Sequence, residues 1–159
     1  MDKADLLQRI ISRLSHDLEV LFTAARTAHE AATHEENIPD NKYDTLALEA
    51  SYVAQGQANR ANEIRRALDA YCQLRLVTMA DETIRLSALV TLEGDDGATR
   101  VVFIGPGEGG LKVEMAGTEV VVITPGSPLG RELLGRTVGD VVELETAGSM
   151  VGYEIIAVC

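Results

Sequence analysis

Four carboxylate side chains lie within ten residues of one another in the first third of the chain. They are Glu35, Glu36, Asp40 and Asp44. Carboxylate oxygens are preferred ligands of Mg²⁺, and many Mg²⁺ sites use only one or two protein carboxylates beside other ligands. Two interpretations follow. The segment is either a solvated acidic turn or a point at which Mg²⁺ is held once further ligands come from outside.

The remaining reactive residue types show no catalytic or metal-binding pattern. His16, His29 and His34 are separated by 13 and 5 residues, which does not bring them to one helical face. The cysteines, Cys72 and Cys159, lack metal-ligand spacing and are expected to be reduced thiols. The chain contains no P-loop or Ser/His/Asp constellation, and the glycines of Gly105–Gly110 lack the following helix of a phosphate-binding loop, so we expect a surface turn there. We therefore expect the free protein to bind no cofactor.

The charge distribution restricts the partners of the chain. The net charge is −11, with −3 in residues 1–77 and −8 in residues 78–159. This balance argues against direct binding to a nucleic-acid backbone and favours a basic protein surface or a metal ion. No apolar run approaches the ~18 residues that a membrane helix requires. Because the N-terminus lacks signal-peptide features, we expect a cytoplasmic protein.

Two heptad-like patterns position the acidic segment. Apolar residues recur at alternating steps of four and three in the first pattern, at Leu7, Ile11, Leu14, Leu18, Leu21, Ala25, Ala28 and Ala32. A second pattern comprises Tyr43, Ala47, Ala50, Ala54, Gln57, Ala61, Ile64, Leu68 and Tyr71. Such spacing is typical of a coiled coil. A reversal at Pro39 predicts an antiparallel helical hairpin over residues 1–77, with small residues near the acidic tip and large ones at the base.

The second half of the chain changes to short β-type runs. We predict about five strands, the first over Ile84–Leu92, and one short helix from Ser127 to Gly135. In that helix Ser127 would be the N-cap, with Pro128 at the first helical position. The predicted class is α+β, with a compact antiparallel sheet domain over residues 78–159.

Residues 127–143, which read SPLGRELLGRTVGDVVE, resemble the C-terminal domain of the GreA/GreB transcript-cleavage factors. That domain shows a Ser-Pro-hydrophobic-Gly helix, a Gly-x-x-x-Gly-Asp turn and then a strand. Residues 153–156 are similar to the last strand of the family, and the Asn41-Lys42-Tyr43-Asp44 segment resembles its Asn-x-Glu-Tyr segment. The family combines an N-terminal antiparallel coiled coil with a C-terminal FKBP-like domain, which is the order predicted above.

This resemblance implies a function. The globular domain would bind core RNA polymerase at the rim of the secondary channel through Ser127, Pro128 and Leu129. The hairpin would enter the channel, and two acidic tip residues would share a Mg²⁺ ion with the polymerase and stimulate cleavage of backtracked RNA. Glu36 and Asp40 are the implied catalytic and metal-binding residues. The protein itself would not be an enzyme, would meet nucleic acid only through the polymerase, and is expected to be a monomer.

One departure from the family motif keeps three hypotheses open. Aligned on Tyr43, Glu36 occupies the first acidic position of the cleaving motif, Pro39 occupies the second, and Asp40 follows one residue later. The chain is then a cleavage factor, a channel-binding regulator that does not cleave, or a coiled-coil adaptor unrelated to polymerase. We also expect Leu129→Asp to weaken polymerase binding without unfolding the hairpin.

Overall fold

The computed structural model describes residues 1–36 and 41–159, without the side chains of residues 25, 28, 29, 32–36 and 41–54. In these ranges, no helix is long and apolar enough to cross a membrane. The chain divides into two compact units, one of Met1–Ile10 with Ala70–Cys159 and the other of Ile11–Asp69. The predicted assignment of residues 1–77 and 78–159 to two domains stays a prediction.

Two long helices form the N-terminal part of the chain. Helix α1 spans Lys3–Glu36 and helix α2 spans Asn41–Gln73, with 34 and 33 residues. At 1.5 Å per residue each helix is about 50 Å long. The Asp2 side chain accepts a hydrogen bond from the Ala4 backbone N–H at 2.8 Å and so caps α1. The predicted reversal at Pro39 falls between the helices, in residues 37–40, outside the described residues.

Contacts between the helices fit the predicted antiparallel hairpin. Lys3, at the start of α1, donates a hydrogen bond to the carbonyl of Val77, just beyond the end of α2. Further along α1, the Phe22 ring lies 4.9 Å from the guanidinium carbon of Arg65 in α2. Residues later in α1 therefore meet residues earlier in α2, as an antiparallel pair requires.

The buried positions of α1 differ from the predicted seam. Leu6, Ile10 and Leu14 are buried, whereas Leu7 and Ile11 are only half-buried. Leu6 and Ile10 belong to the unit that contains the sheet. Heptad spacing considers only a partner helix, so it predicted burial one residue later in the chain, at Leu7 and Ile11. The proposed pairing of small side chains near the tip lies outside the described residues.

At the base of α2, most of the residues that the heptad pattern predicted to be buried are buried. Ala61, Ile64 and Tyr71 are buried, together with Ala67, which the seam did not include. Leu68 is half-buried.

The second half of the chain folds as a six-stranded sheet with one short helix. The strands are β1 (Leu89–Gly94), β2 (Thr99–Ile104), β3 (Lys112–Met115), β4 (Thr118–Ile123), β5 (Val141–Thr146) and β6 (Ser149–Val158). Helix α3, Pro128–Leu133, lies between β4 and β5 in the chain. The order across the sheet is β3-β4-β2-β1-β6-β5. The α+β class is thereby confirmed, with one strand more than predicted.

The sheet is not wholly antiparallel, which corrects the sequence-based expectation. Strands β2 and β4 pair in parallel, with Val101 opposite Val120 and Ile104 opposite Ile123, while the other neighbouring strands are antiparallel. Strand β4 is a continuous β-branched run, which suits an interior position. Strand β3 carries the exposed Lys112 and Glu114, which suit an edge. Strand β4 therefore lies between β2 and β3.

The predicted first strand, Ile84–Leu92, is also wrong in its boundaries. Strand β1 begins only at Leu89. Ser87 has a left-handed backbone with φ 73°, which interrupts an extended chain. Ile84 instead exchanges backbone hydrogen bonds with the segment after α3, donating to Arg136 and accepting from Gly135, each at 2.9 Å.

One face of the sheet packs with α3 in the main hydrophobic core. This core contains Val102 and Ile104 of β2 and Leu129 and Leu133 of α3. Phe103 is fully buried yet lies outside that cluster, because alternate strand residues point to opposite faces. The sheet therefore buries apolar side chains on both faces.

Tyr71 of α2 packs at the end of β2. Its hydroxyl donates a hydrogen bond to the Gly107 carbonyl at 2.7 Å. A Cβ atom at Gly105 would collide with that hydroxyl and would lie 3.0 Å from Val122. Burial, followed by the charge of Glu108, raises the pKa of Tyr71, so the phenol remains a hydrogen-bond donor. Gly105 is buried here because only a residue without a side chain fits under Tyr71.

Lys3 and Ser87 form a second contact in the same unit. The Lys3 ammonium donates to the carbonyls of Val77 and Ser87, at 2.5 and 3.0 Å. The fully buried Ser87 accepts a hydrogen bond from the Val77 N–H at 3.1 Å through its hydroxyl and donates its own N–H to Ile104. These bonds join the start of α1, the segment after α2 and the end of β2.

We predict that Gly105→Ala destabilises the protein and that Tyr71→Phe partly relieves the effect. The alanine methyl group would overpack the Tyr71 contact, at about 1–3 kcal/mol in the free energy of unfolding. Tyr71→Phe alone should cost about 1 kcal/mol through the lost hydrogen bond. In the double variant the losses should be less than additive, because the hydroxyl that collides with the methyl group is gone. Denaturant unfolding of the four proteins measures the coupling.

Gly56→Ala is the matched control. Gly56 lies in α2 and a Cβ there meets nothing within 4 Å, so alanine should stabilise the helix by about 1 kcal/mol. Strict additivity between Gly105→Ala and Tyr71→Phe would contradict the proposed close contact.

Candidate functional site

The acidic tip is the first predicted site. Glu36 is the last residue of α1, and its side chain is outside the described residues, as is the whole of Asp40. Their roles as catalytic residues and as Mg²⁺ ligands stay predictions. Elsewhere, in the part of the chain that the structure describes, no group of three or more His, Cys, Asp or Glu residues could hold a metal ion.

The second predicted site, Ser127–Leu129, begins α3. Ser127 is the N-cap: its hydroxyl accepts a hydrogen bond from the Gly130 N–H at 3.1 Å and donates to the Thr124 carbonyl at 2.7 Å. Pro128 occupies the first turn and is exposed. Both features were predicted from the sequence, because capping and first-turn preferences depend on short-range chemistry.

Gly130 explains the glycine in this motif. A Cβ atom at Gly130 would collide with the carbonyl oxygen of Thr124 and lie 2.9 Å from the Ser127 hydroxyl. The helix can therefore approach the end of β4 closely only with glycine at this position.

Leu129 does not lie on the surface. It is 7% exposed and packs in the core with Leu133. Leu129→Asp would place a carboxylate in this apolar core. Its effects on polymerase binding and on the hairpin stay predictions. The exposed side chains on and just after α3 are instead Pro128, Arg131, Glu132, Leu134, Arg136 and Val138.

The turn after α3 is held against β6. The Asp140 carboxylate accepts a hydrogen bond from the Thr137 N–H at 2.9 Å. Gly139 has φ 91° and donates its N–H to the Ile155 carbonyl at 2.8 Å. The Gly-Asp pair of the motif therefore has a structural reason: the glycine adopts the left-handed backbone and the aspartate closes the turn.

Comparison with known proteins identifies the family. The profile described as "Transcription elongation factor, GreA/GreB, C-term" matches residues 79–159, half of the chain. The chain belongs to the GreA/GreB family of transcription elongation factors. The match begins at Met79 in the core and covers all six strands and α3.

Full-length relatives extend the similarity into the hairpin. The chain is 26% identical to transcription elongation factor GreA of Maricaulis maris over 146 residues, covering 91% of this chain and 90% of the relative. It is 24% identical to GreA of Rhodospirillum rubrum, with 99% and 98% coverage. Among solved structures, Gfh1 of Thermus aquaticus is 27% identical with a TM-score of 0.41, covering 95% of this chain and 92% of that structure.

Sequence reasoning missed the contacts at the base of the hairpin. Lys3 contacts Ser87, and Tyr71 contacts Gly107, across 84 and 36 residues of sequence. The sequence offered two indications of these contacts. Tyr71 ends the second heptad pattern, and glycines occur at positions 105 and 107. Neither feature by itself indicates its partner.

We predict that Ser127→Ala lowers the free energy of unfolding by about 0.5–2 kcal/mol, the usual effect of losing a helix N-cap. Ser127→Thr is the matched control, since threonine retains the hydroxyl that accepts from Gly130 and donates to Thr124. Denaturant unfolding of both variants measures the effect. Equal losses in the two variants would show that the hydroxyl is not the stabilising group.

Proposed function

We propose that this protein binds core RNA polymerase as a transcription elongation factor of the GreA/GreB type. The observation that carries the proposal is the family match over residues 79–159, joined to GreA relatives that align with nearly the whole chain. The net charge of −11 supports action through a protein partner, because the chain has few cations with which to neutralise a nucleic-acid backbone.

The hairpin is the part that enters the secondary channel. Each helix exceeds thirty residues, which gives it a reach of about 50 Å. The sheet domain binds the rim of the channel through the surface around the N-terminus of α3, with Ser127 and Pro128 at the contact. Leu129 contributes indirectly, because its burial in the core fixes the position of α3.

The tip acts by supplying carboxylates to the polymerase. Glu36 and Asp40 hold Mg²⁺ only when the polymerase and the RNA phosphate provide the remaining ligands, since isolated carboxylates bind this ion weakly. Bound by these residues, Mg²⁺ would supply the activation of water for hydrolysis at the 3′ end of backtracked RNA. The protein is on this proposal not an enzyme by itself.

Pro39 favours a second candidate function. It occupies the position of the second acidic residue in the cleaving motif, and Asp40 follows one residue later. A hairpin that enters the channel without completing the metal site would regulate transcription by occupancy. The two candidates share polymerase binding and differ in RNA cleavage.

We predict that Pro128→Glu weakens binding to core RNA polymerase while the protein stays folded. Pro128 is exposed at the first turn of α3, where an acidic residue is compatible with the helix dipole. The introduced charge would disturb a surface contact, at about tenfold in Kd. Binding to immobilised core enzyme measures the affinity, and thermal unfolding checks the fold. Unchanged affinity would remove this surface from the interface.

We predict that the wild-type protein releases a short 3′ RNA fragment from a backtracked polymerase complex. Glu36→Gln and Asp40→Asn should each reduce the rate by about 10²-fold or more while retaining polymerase affinity, because each removes a ligand of the shared ion. The measurement is gel analysis of end-labelled RNA.

Each other outcome decides between the alternatives. A wild-type protein that releases no RNA but competes with a cleaving factor for the polymerase is a channel-binding regulator. A wild-type protein that does not bind polymerase at all fits only the coiled-coil adaptor.

A further inference from the structure

A groove of about 520 Å³ lies beside the base of the hairpin, within the compact unit that contains the sheet. Its lining includes the apolar residues Leu74, Val77, Leu86 and Pro106 and the basic residues Arg75 and Arg85. Val77 and Leu86 are 39% and 40% exposed, which is high for large apolar side chains. The volume falls within the roughly 300–1,000 Å³ of typical binding pockets.

The charge at this groove is opposite to that of the surrounding protein. Residues 78–159 hold only five Lys or Arg residues against 13 Asp or Glu. Arg85 is one of the five, and Arg75 lies just before this segment. Arg85 pairs with Asp81 at the surface, an exposed contact that contributes little and can be exchanged. For Arg75, no partner occurs among the described residues.

The backbone of the groove limits how a partner can bind. Val77 already donates its N–H to the Ser87 hydroxyl and accepts from Lys3 through its carbonyl. A partner therefore cannot pair with Val77 as an added β-strand, which favours recognition through side chains at this residue. The matching chemistry is an apolar side chain on the floor with carboxylates at the two guanidinium groups.

We propose that this groove is a second docking surface for RNA polymerase, and that it binds an acidic segment of the polymerase carrying an exposed apolar residue. The inference rests on the proposed function, but the surface is separate from the N-terminus of α3. Electrostatic complementarity selects this occupant: a basic segment would be repelled here and attracted to the acidic remainder of the sheet domain.

The decisive experiment measures the affinity of the full chain for core RNA polymerase after charge reversal. Arg75→Glu should raise Kd by about tenfold, and Arg75→Glu with Arg85→Glu by more, with a weaker dependence of Kd on salt. Leu86→Gln should raise Kd without changing the salt dependence. Arg100→Glu is the matched control, because Arg100 is an exposed arginine near the start of β2, in the same compact unit, and does not line the groove. Thermal unfolding confirms that each variant is folded.

A photo-crosslinking residue in place of Leu86 identifies the occupant. After irradiation with core RNA polymerase, we expect mass spectrometry to find a polymerase peptide with several Asp or Glu residues near an apolar one. A crosslink to a basic peptide, or to a second copy of this chain, would overturn the proposal. So would a Kd for Arg75→Glu equal to that for Arg100→Glu. If the wild type fails to bind polymerase, the proposed function fails first, which separates that result from a failure of the groove alone.

Discussion

The close approach of Tyr71 to Gly105 is the contact on which the rest of the compact unit depends. The Tyr71 hydroxyl lies where a side chain at residue 105 would be, and it donates a hydrogen bond to the Gly107 carbonyl. With the Lys3–Ser87 contact, it ties the base of both helices to the end of β2.

The family motif in the second half of the chain is largely structural. Ser127 caps α3, Gly130 permits its close packing, Leu129 fills the core, and Gly139 with Asp140 closes the following turn. Similarity over this motif therefore reflects a shared fold. On our proposals, binding specificity comes from exposed side chains around α3 and from the arginines of the groove.

The charge distribution separates the roles of the parts. The sheet domain is strongly acidic, residues 1–77 are nearly balanced, and carboxylates concentrate again in residues 35–44. An acidic body suits a protein that works on a transcription complex without competing for its nucleic acid. The two arginines at the base are a local exception, which is why that groove selects an acidic partner.

Features determined by short-range chemistry could be predicted from the sequence alone. The two long helices and their interruption around Pro39 follow from heptad spacing and proline, and α3 follows from Ser127 and Pro128. Features that depend on distant neighbours could not be predicted. The insertion of β4 between β2 and β3, the burial of Leu6 in place of Leu7, the left-handed Ser87 and the burial of Leu129 became evident only in the folded chain. The physical reason is that the spacing of residues along a helix or strand specifies which face each side chain occupies. Which element packs on that face is decided by residues far away in the sequence.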